Sequence, residues 1–227
     1  QDSVTEIGGW LVSVDAGTIG RARSAVPLKG AKALADTIQK IETHYQAAGL
    51  PPKFRISDHP LFAPIAQAVQ ARGYRATRPT FVQVADLQDM QHASADAVSV
   101  DDQPDEAWRT LFLGPGFDPV DGASRVKSLS KSSSNVYASL RENGQTVSGG
   151  AGSFSHGWAS VHGMRTDAAQ RGRGLAGQVL SALAGAALER GCERCFLQVE
   201  ANNLAAQSLY QRMGFQTVWA YAYWSKA

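Results

Sequence analysis

The chain has 227 residues, 44% of them hydrophobic and 19% charged, with a formal net charge of +2. That composition suits a globular protein with one large core or two small ones, and charges of both signs scattered along the chain offer no basic face for nucleic acid. No apolar run approaches the roughly 20 residues needed to span a bilayer, so neither a nucleic-acid nor a membrane partner is expected.

Leu34, Ile38, Ile41 and Tyr45 recur at helical spacing and predict a helix that stops at Gly49. Phe54–Ile56 predicts a strand, a second helix ends at Gly73-Tyr74, and Thr80–Val84 is strand-like. Ala85–Asp96 carries Asp, Gln, Ser and His without apolar periodicity and reads as a linker. Beyond it, Ala97–Val100 predicts a short strand, and Asp105–Leu113 and Ala123–Lys131 predict short helices. Val136–Leu140 and Thr146–Phe154 flank the turn Arg141-Glu-Asn-Gly144, a hairpin signal. After His156-Gly157, a third strand covers Trp158–Thr166.

The clearest helix runs from Gly174 to Arg190, with Leu175, Val179, Leu183 and Ala187 on one stripe and Gly191 as its stop. Cys195–Glu200 then predicts a strand, Asn203 caps a second helix through Met213, and Thr217–Trp224 alternates as a last strand. The helix stops Gly49 and Gly191 lie 142 positions apart, Gly73-Tyr74 and Gly214-Phe215 lie 141 apart, and Arg23-Ser24 falls 142 before Arg165-Thr166. This spacing indicates one structural unit used twice. The first copy is expected to be partial, without the upstream helices and hairpin of the second.

Cys192 and Cys195 are spaced C-x-x-C, but the motif follows a helix and runs into a strand instead of opening a helix as a redox pair does. The five histidines supply no second pair of ligands at metal spacing, so no metal is expected. Buried, reduced thiols and a cytoplasmic location fit better. The N-terminus lacks the basic and apolar regions of a signal peptide.

Chemistry concentrates at Gln170-Arg-Gly-Arg-Gly-Leu-Ala176, where the third strand meets the long helix. Glycines let backbone curl around a bound group, and a helix start offers unpaired N–H groups and a positive dipole end. Together they suit a phosphate, with Arg171 and Arg173 adding charge. Gly172-Arg-Gly-Leu-Ala-Gly177 also matches the dinucleotide pattern G-x-G-x-x-G, but five residues separate it from its strand and no βαβ series surrounds it.

These residues resemble the GNAT superfamily, the GCN-five-related N-acetyltransferases. The superfamily's cradle R/Q-x-x-G-x-G/A is met by Arg171-Gly-Arg-Gly-Leu-Ala176, and its second signature by Asn203-Leu-Ala-Ala-Gln-Ser-Leu-Tyr-Gln-Arg-Met-Gly-Phe215. The resemblance covers about Ala95 to Ala227. It implies an α/β (α+β) fold, a mixed, mainly antiparallel sheet flanked by helices, present here as one partial and one complete copy. The expected domains are 1–88, a degenerate GNAT-like unit, and 95–227, the catalytic one.

What the resemblance implies for the site is specific. Backbone N–H groups of Arg171, Gly172, Arg173, Gly174, Leu175 and Ala176 would hold the pyrophosphate of acetyl-CoA. The Met164–Arg165–Thr166 segment would pair with the pantetheine arm through the backbone of Met164 and Thr166, as an added strand does. The third and fourth strands would splay, letting the thioester sit between them. Asn203 would touch the pantetheine arm as well as cap its helix, and Tyr210 would protonate the departing thiolate. Glu200 and His162 are candidates for the base, as is a chain of waters. The acceptor would be a small-molecule or peptide amine; Asp101, Asp102, Asp105 and Glu106 could favour a cationic one or merely start a helix. In the first copy Lys32 aligns with Gly174 and Val69 with Tyr210, so no second CoA site is expected there. Tandem forms with one silent half, as in mycothiol synthase-like proteins, have this architecture. The competing class is a module of this fold that binds acyl-CoA without turnover.

Overall fold

The computed structural model describes residues 2–30, 34–90, 94–132 and 134–226. The chain divides into two compact units: Gln1–Val82 with Glu200–Asn202 and Val218–Ala227, and Gln83–Val199 with Asn203–Thr217. In chain order the first half holds β1 (Ser3–Ile7), β2 (Trp10–Val14), β3 (Ala25–Pro27), α1 (Leu34–Ala47), β4 (Phe54–Ser57), α2 (Ala63–Ala71) and β5 (Arg75–Asp86). There follow β6 (Val98–Asp101), α3 (Glu106–Thr110), α4 (Pro119–Leu129), β7 (Asn135–Glu142), β8 (Gln145–Ser155) and β9 (Trp158–Thr166). The chain closes with α5 (Leu175–Glu189), β10 (Arg194–Glu200), α6 (Leu204–Arg212) and β11 (Gln216–Ser225).

In the first unit the strand order is β1-β2-β3-β4-β11-β5. β1, β2 and β3 pair antiparallel, β3 runs parallel to β4, and β11 joins β4 antiparallel with Tyr221 opposite Ser57. That pairing places the end of the chain, from Val218, in the first unit, whereas the sequence reading put it in a domain 95–227. The core is aromatic at its centre: Trp10 meets Phe54 edge-on at 5.5 Å, and Phe54 meets Tyr74 at 4.9 Å. Ile38, Ile41 and Tyr45 of α1 and Val69 of α2 fill around them and are all fully buried, which accounts for the helical spacing read in α1.

Beside this core lies a buried carboxylate. Glu42, 5% exposed, accepts hydrogen bonds from Arg72 Nη2 at 2.5 Å and from the Tyr74 hydroxyl at 2.9 Å, with Lys226 Nζ at 3.5 Å. Burial pushes the Glu42 carboxyl up, but the bonds from Arg72 and Tyr74 outweigh it and hold the group below its ordinary value. A depressed carboxyl stabilises the fold above its unfolded value near ~4.3 and loses that contribution as pH falls through the folded value. Glu42→Ala is therefore expected to cost about 2–3 kcal/mol at pH 7, because it leaves the buried Tyr74 hydroxyl unpaired and takes from Arg72 its carboxylate partner. Thermal unfolding of both proteins at pH 7 and at about pH 3 checks this: the gap between them should shrink in acid.

In the second unit the strand order is β10-β9-β8-β7-β6. β9 and β10 run parallel, and the other neighbours are antiparallel. The β7–β8 turn tightens to Asn143-Gly144, both at positive φ (+50° and +79°), the two-residue hairpin turn that the strand twist favours. α5 covers one face: a Cβ on Gly150 would stand 2.4 Å from Met164 Sδ and 3.6 Å from Leu183 Cδ1. α3 covers the other. Its fully buried Trp108 packs tilted against Phe112 and edge-on against Tyr137, and Trp108 Nε1 donates to the Gly150 carbonyl at 3.3 Å.

The two units repeat one element order, strand–strand–strand–helix–strand–helix: β1 to α2 in the first, β7 to α6 in the second. In both, the third and fourth strands are the parallel pair. The helices α1, α2, α5 and α6 all end in the same left-handed stop, as at α5, where Cys192 N–H reaches the Ala187 carbonyl at 3.0 Å and Gly191 N–H reaches Leu188 at 2.9 Å.

Three expectations need correction. The first unit does contain a hairpin, β1–β2, turning at Gly8-Gly9; β1 is almost wholly exposed, so it carries no apolar alternation to read. Among the described residues it lacks counterparts of α3 and α4 only in front of that hairpin. The expected linker is docked: Leu87 and Met90 are fully buried, Leu87 N–H donates to Glu193 O at 2.9 Å and Ser181 Oγ to Met90 O at 2.7 Å. α4 starts at Pro119 instead of Ala123, because Asp118 caps it through Val120 N–H at 2.8 Å and proline suits the first helical turn. Lys32, aligned with Gly174 by the repeat, lies outside the described residues.

Candidate active site

The site is built on β9. Its pairing with β10 runs only through Arg194–Trp158, Cys195–Ala159 and Phe196–Ser160. From Val161 to Thr166 the strand no longer pairs with β10, so its backbone is open on that side. Against β8 the register slips here: Gly149 faces Arg165 while Ala151 faces His162, which leaves one extra residue on β9. Gly163 sits in this bulge at φ +62°, a conformation that a side chain would resist, and a Cβ there would come within 2.7 Å of Leu129 Cδ1. The bulge lies within the stretch of β9 where the pairing with β10 has ended.

Past β9 the chain turns through Ala168–Gln170 and enters α5 at Gly174. Gly174 is left-handed (φ +77°, ψ 2°) and no side chain caps the helix. A Cβ on Gly172 or Gly174 would meet nothing within 4 Å, so the space before the first turn is open. The uncapped amides of that turn and the dipole end of a 15-residue helix face it. This is a fitting seat for a pyrophosphate, since a side chain on Gly174 would project into it.

The two arginines of the cradle differ. Arg171 is exposed, its Nε donating to Thr166 O at 3.4 Å. Arg173 is already engaged: Nη2 and Nη1 bind the two oxygens of Glu142 at 2.7 and 3.0 Å, and Gln170 Oε1 accepts a further bond. The Arg173 hydrogen bond holds the Glu142 carboxyl below the usual carboxylate range. Arg173 therefore offers the cradle its backbone, with its charge already balanced.

Met164 points beneath Gly150 toward α5, while Arg165 lies on the opposite face, over the Phe117 ring at 3.7 Å and the Phe112 ring at 5.4 Å. Thr166 Oγ1 shares a hydrogen bond with Ser148 Oγ at 2.9 Å. His162, on the open stretch, has Nε2 2.9 Å from Ser160 Oγ. Glu200 groups with the first unit, where its Oε1 accepts from Arg78 Nη2 and Nε at 2.7 and 3.1 Å. To act as a base it would have to leave that guanidinium.

α6 supplies the remaining pair. Asn203 caps it, Oδ1 accepting from Ala206 N–H at 3.2 Å. Gly177 in the first turns of α5 lies under Leu209 and Met213, so α6 packs beside the cradle. Tyr210 is 8% exposed with its ring edge-on to Phe215 at 5.8 Å. Among the described residues nothing hydrogen-bonds its hydroxyl. Burial pushes the phenol up to about 12, so it stays protonated through the physiological range. Cys192 and Cys195 are free and buried, and burial raises the Cys195 thiol to about 12, which leaves it unreactive. Among the described residues no cluster of metal-ligating side chains occurs.

The family model described as Probable histone acetyltransferase Rv0428c C-terminal matches residues 3–224. The chain belongs to this family. It is an acyl-CoA-dependent N-acetyltransferase with a GNAT-like fold, transferring acetyl from acetyl-CoA to an amine. A curated relative, an uncharacterized N-acetyltransferase YobR from Bacillus subtilis (strain 168), is 26% identical over 219 residues, 93% of this chain and 87% of the relative. Among solved structures, a GCN5-related N-acetyltransferase from Kribbella flavida superposes with a TM-score of 0.74 at 13% identity, covering 99% of this chain and 89% of that one. A tandem GNAT protein from the clavulanic acid biosynthesis pathway superposes with a TM-score of 0.57 at 12% identity, over 84% of this chain and 67% of that one. No helix among the described residues is long and apolar enough to cross a membrane.

Proposed function

We propose that the acetyltransferase reaction occurs in the second unit, at the opening between β9 and β10, by direct attack of a primary amine on the thioester. The observation that carries this is the loss of β9–β10 pairing after Ser160 and Phe196, directly ahead of an uncapped helix start. The open backbone of Met164–Thr166 takes the pantetheine amides as a further strand would, and the amides of Arg171–Ala176 take the pyrophosphate. Asn203 adds a side-chain contact. The amine nitrogen bonds to the carbonyl carbon, the C–S bond breaks, and the sulfur carries off its electron pair. Freed backbone N–H on the splayed strand stabilises the oxyanion.

Tyr210 donates to the departing sulfur. A thiol of ordinary acidity, near ~8.5, is far stronger than a phenol at about 12, so the ground-state contribution is a hydrogen bond. The phenol holds the sulfur by this bond while the C–S bond breaks, and the proton lost by the attacking amine replaces the one that passes from the phenol to sulfur. His162 is the favoured base over Glu200, since its imidazole lies on the open stretch of β9 with Nε2 beside the neutral Ser160 hydroxyl, whereas Glu200 is held by the Arg78 guanidinium.

The first unit is a second GNAT-like copy whose sequence, with Lys32 at the position of Gly174 and Val69 at that of Tyr210, supplies neither the cradle glycine nor the acid. The shared element order and parallel pair support this, as does Val69, fully buried in α2 where the repeat aligns it with Tyr210. In this reading residues 1–88 and 95–227 are the two evolutionary copies, and the acceptor is a small-molecule or peptide amine. The free, buried cysteines accord with a reducing, cytoplasmic setting.

Direct attack has a kinetic signature. Mixing protein and acetyl-CoA without amine should release no stoichiometric burst of CoA thiol, and mass spectrometry should find no acetylated protein. A burst matched by an acetyl adduct would replace direct attack with a covalent intermediate.

A further inference from the structure

Arg165 is the least expected residue at this opening. Its side chain is only 15% exposed, yet among the described residues none of its five N–H donors makes a hydrogen bond. Among the described residues its one ion-pair partner is Asp121 of α4, at 3.7 Å. That carboxylate is taken first by Arg125, whose Nε lies 2.6 Å from the same Oδ2. Two guanidinium groups thus share one carboxylate oxygen, and a half-buried positive charge is left over. Packing on Phe117 and Phe112 fixes the guanidinium plane without satisfying a single donor. Burial, and after it the Arg125 charge, hold the Arg165 guanidinium below its ordinary value against the pull of Asp121.

The placement says what the charge is for. Arg165 belongs to the open stretch of β9, one residue after Met164, and alternation sends the two to opposite faces. The Met164 face is closed by α5. An amine reaching the opening therefore arrives from the other face, past α4 and Arg165. We propose that Arg165 and Arg125 form a carboxylate clamp that selects an acceptor carrying an anionic carboxylate along with its amine, with Asp121 holding the clamp until the acceptor displaces it. A planar guanidinium with unused donors matches a carboxylate in bidentate fashion. This rests on the reading of the β9 opening as the transfer site. It reverses the preference for cationic amines that the acids around Asp101–Glu106 suggested.

The test is calorimetric titration of ω-amino carboxylates, from glycine to 6-aminohexanoate, into protein saturated with CoA, each beside its carboxamide. One chain length should bind at least about tenfold tighter than its amide, the size expected of a charge-assisted pair. Arg165→Gln and Arg125→Gln should each erase that preference. Asp121→Asn should tighten carboxylate binding, a gain that a merely structural role for the trio would not produce. Equal binding of acid and amide, or a preference that survives Arg165→Gln, overturns the clamp. Weaker binding of CoA itself by Arg165→Gln would assign the residue to the cofactor and also overturn it. Failure of wild-type protein to bind CoA is seen before any amine is added, and removes the reading of the opening on which the clamp stands.

Discussion

Gly174→Glu is expected to weaken acetyl-CoA binding at least about 100-fold, roughly 2.7 kcal/mol, while the protein stays folded. Three effects add in one direction. The new carboxylate replaces open space at the helix start and repels the pyrophosphate. It competes for the amides that the ligand needs, as a capping acid does. A non-glycine residue at φ +77° adds about 1–2 kcal/mol of strain to the loop in its binding conformation. The same open space is why the fold should survive: a Cβ at this position collides with nothing. Calorimetry with acetyl-CoA, beside circular dichroism, separates lost binding from lost structure. Gly174→Ala provides the steric control and should lose much less.

Tyr210→Phe is expected to lower kcat by roughly 10- to 100-fold with little change in acetyl-CoA affinity. The ring packs against Phe215 and would still do so without its oxygen, so the volume of the site is kept. What goes is a donor that has no other partner among the described residues. Because burial holds the phenol near 12, its ionisation should not limit turnover at alkaline pH below about 11; any earlier alkaline fall in kcat belongs to another group. Unchanged kcat in the variant would remove the acid role from Tyr210.

The local structure around several candidate residues could be read before any coordinates: Gly174 as the entry to the long helix, and the Asn203–Phe215 segment because a cap, a helical stripe and a stop agree in one short stretch. The four helix stops were legible because Gly49, Gly73, Gly191 and Gly214 all serve one backbone geometry. The splay of β9 was expected only through the family resemblance; the bulge at Gly163, within the stretch where the pairing with β10 has ended, leaves no periodic trace in sequence.

Long-range pairings were not legible. Arg173 reads as a free charge until Glu142, 31 positions away, is seen to bind it. Glu200 reads as an available base until Arg78, 122 positions away, is seen on it. Arg165 reads only as part of the Met164–Thr166 strand segment, and the contacts of its side chain with Asp121 and Phe117 appear only in the structure. The β1–β2 hairpin escaped for the opposite reason, because a strand exposed along its length has no buried face to pattern.

The central claim is that acetyl-CoA lies along the open stretch of β9 and ends on the first turn of α5. Amide hydrogen exchange of the protein with and without acetyl-CoA tests it most directly. The account predicts that protection on binding concentrates in Val161–Ala176, with a smaller effect at Asn203 and none in β1–β4 of the first unit. Unchanged exchange across Arg171–Ala176 in protein that demonstrably binds acetyl-CoA, or protection centred in the first unit, would contradict it.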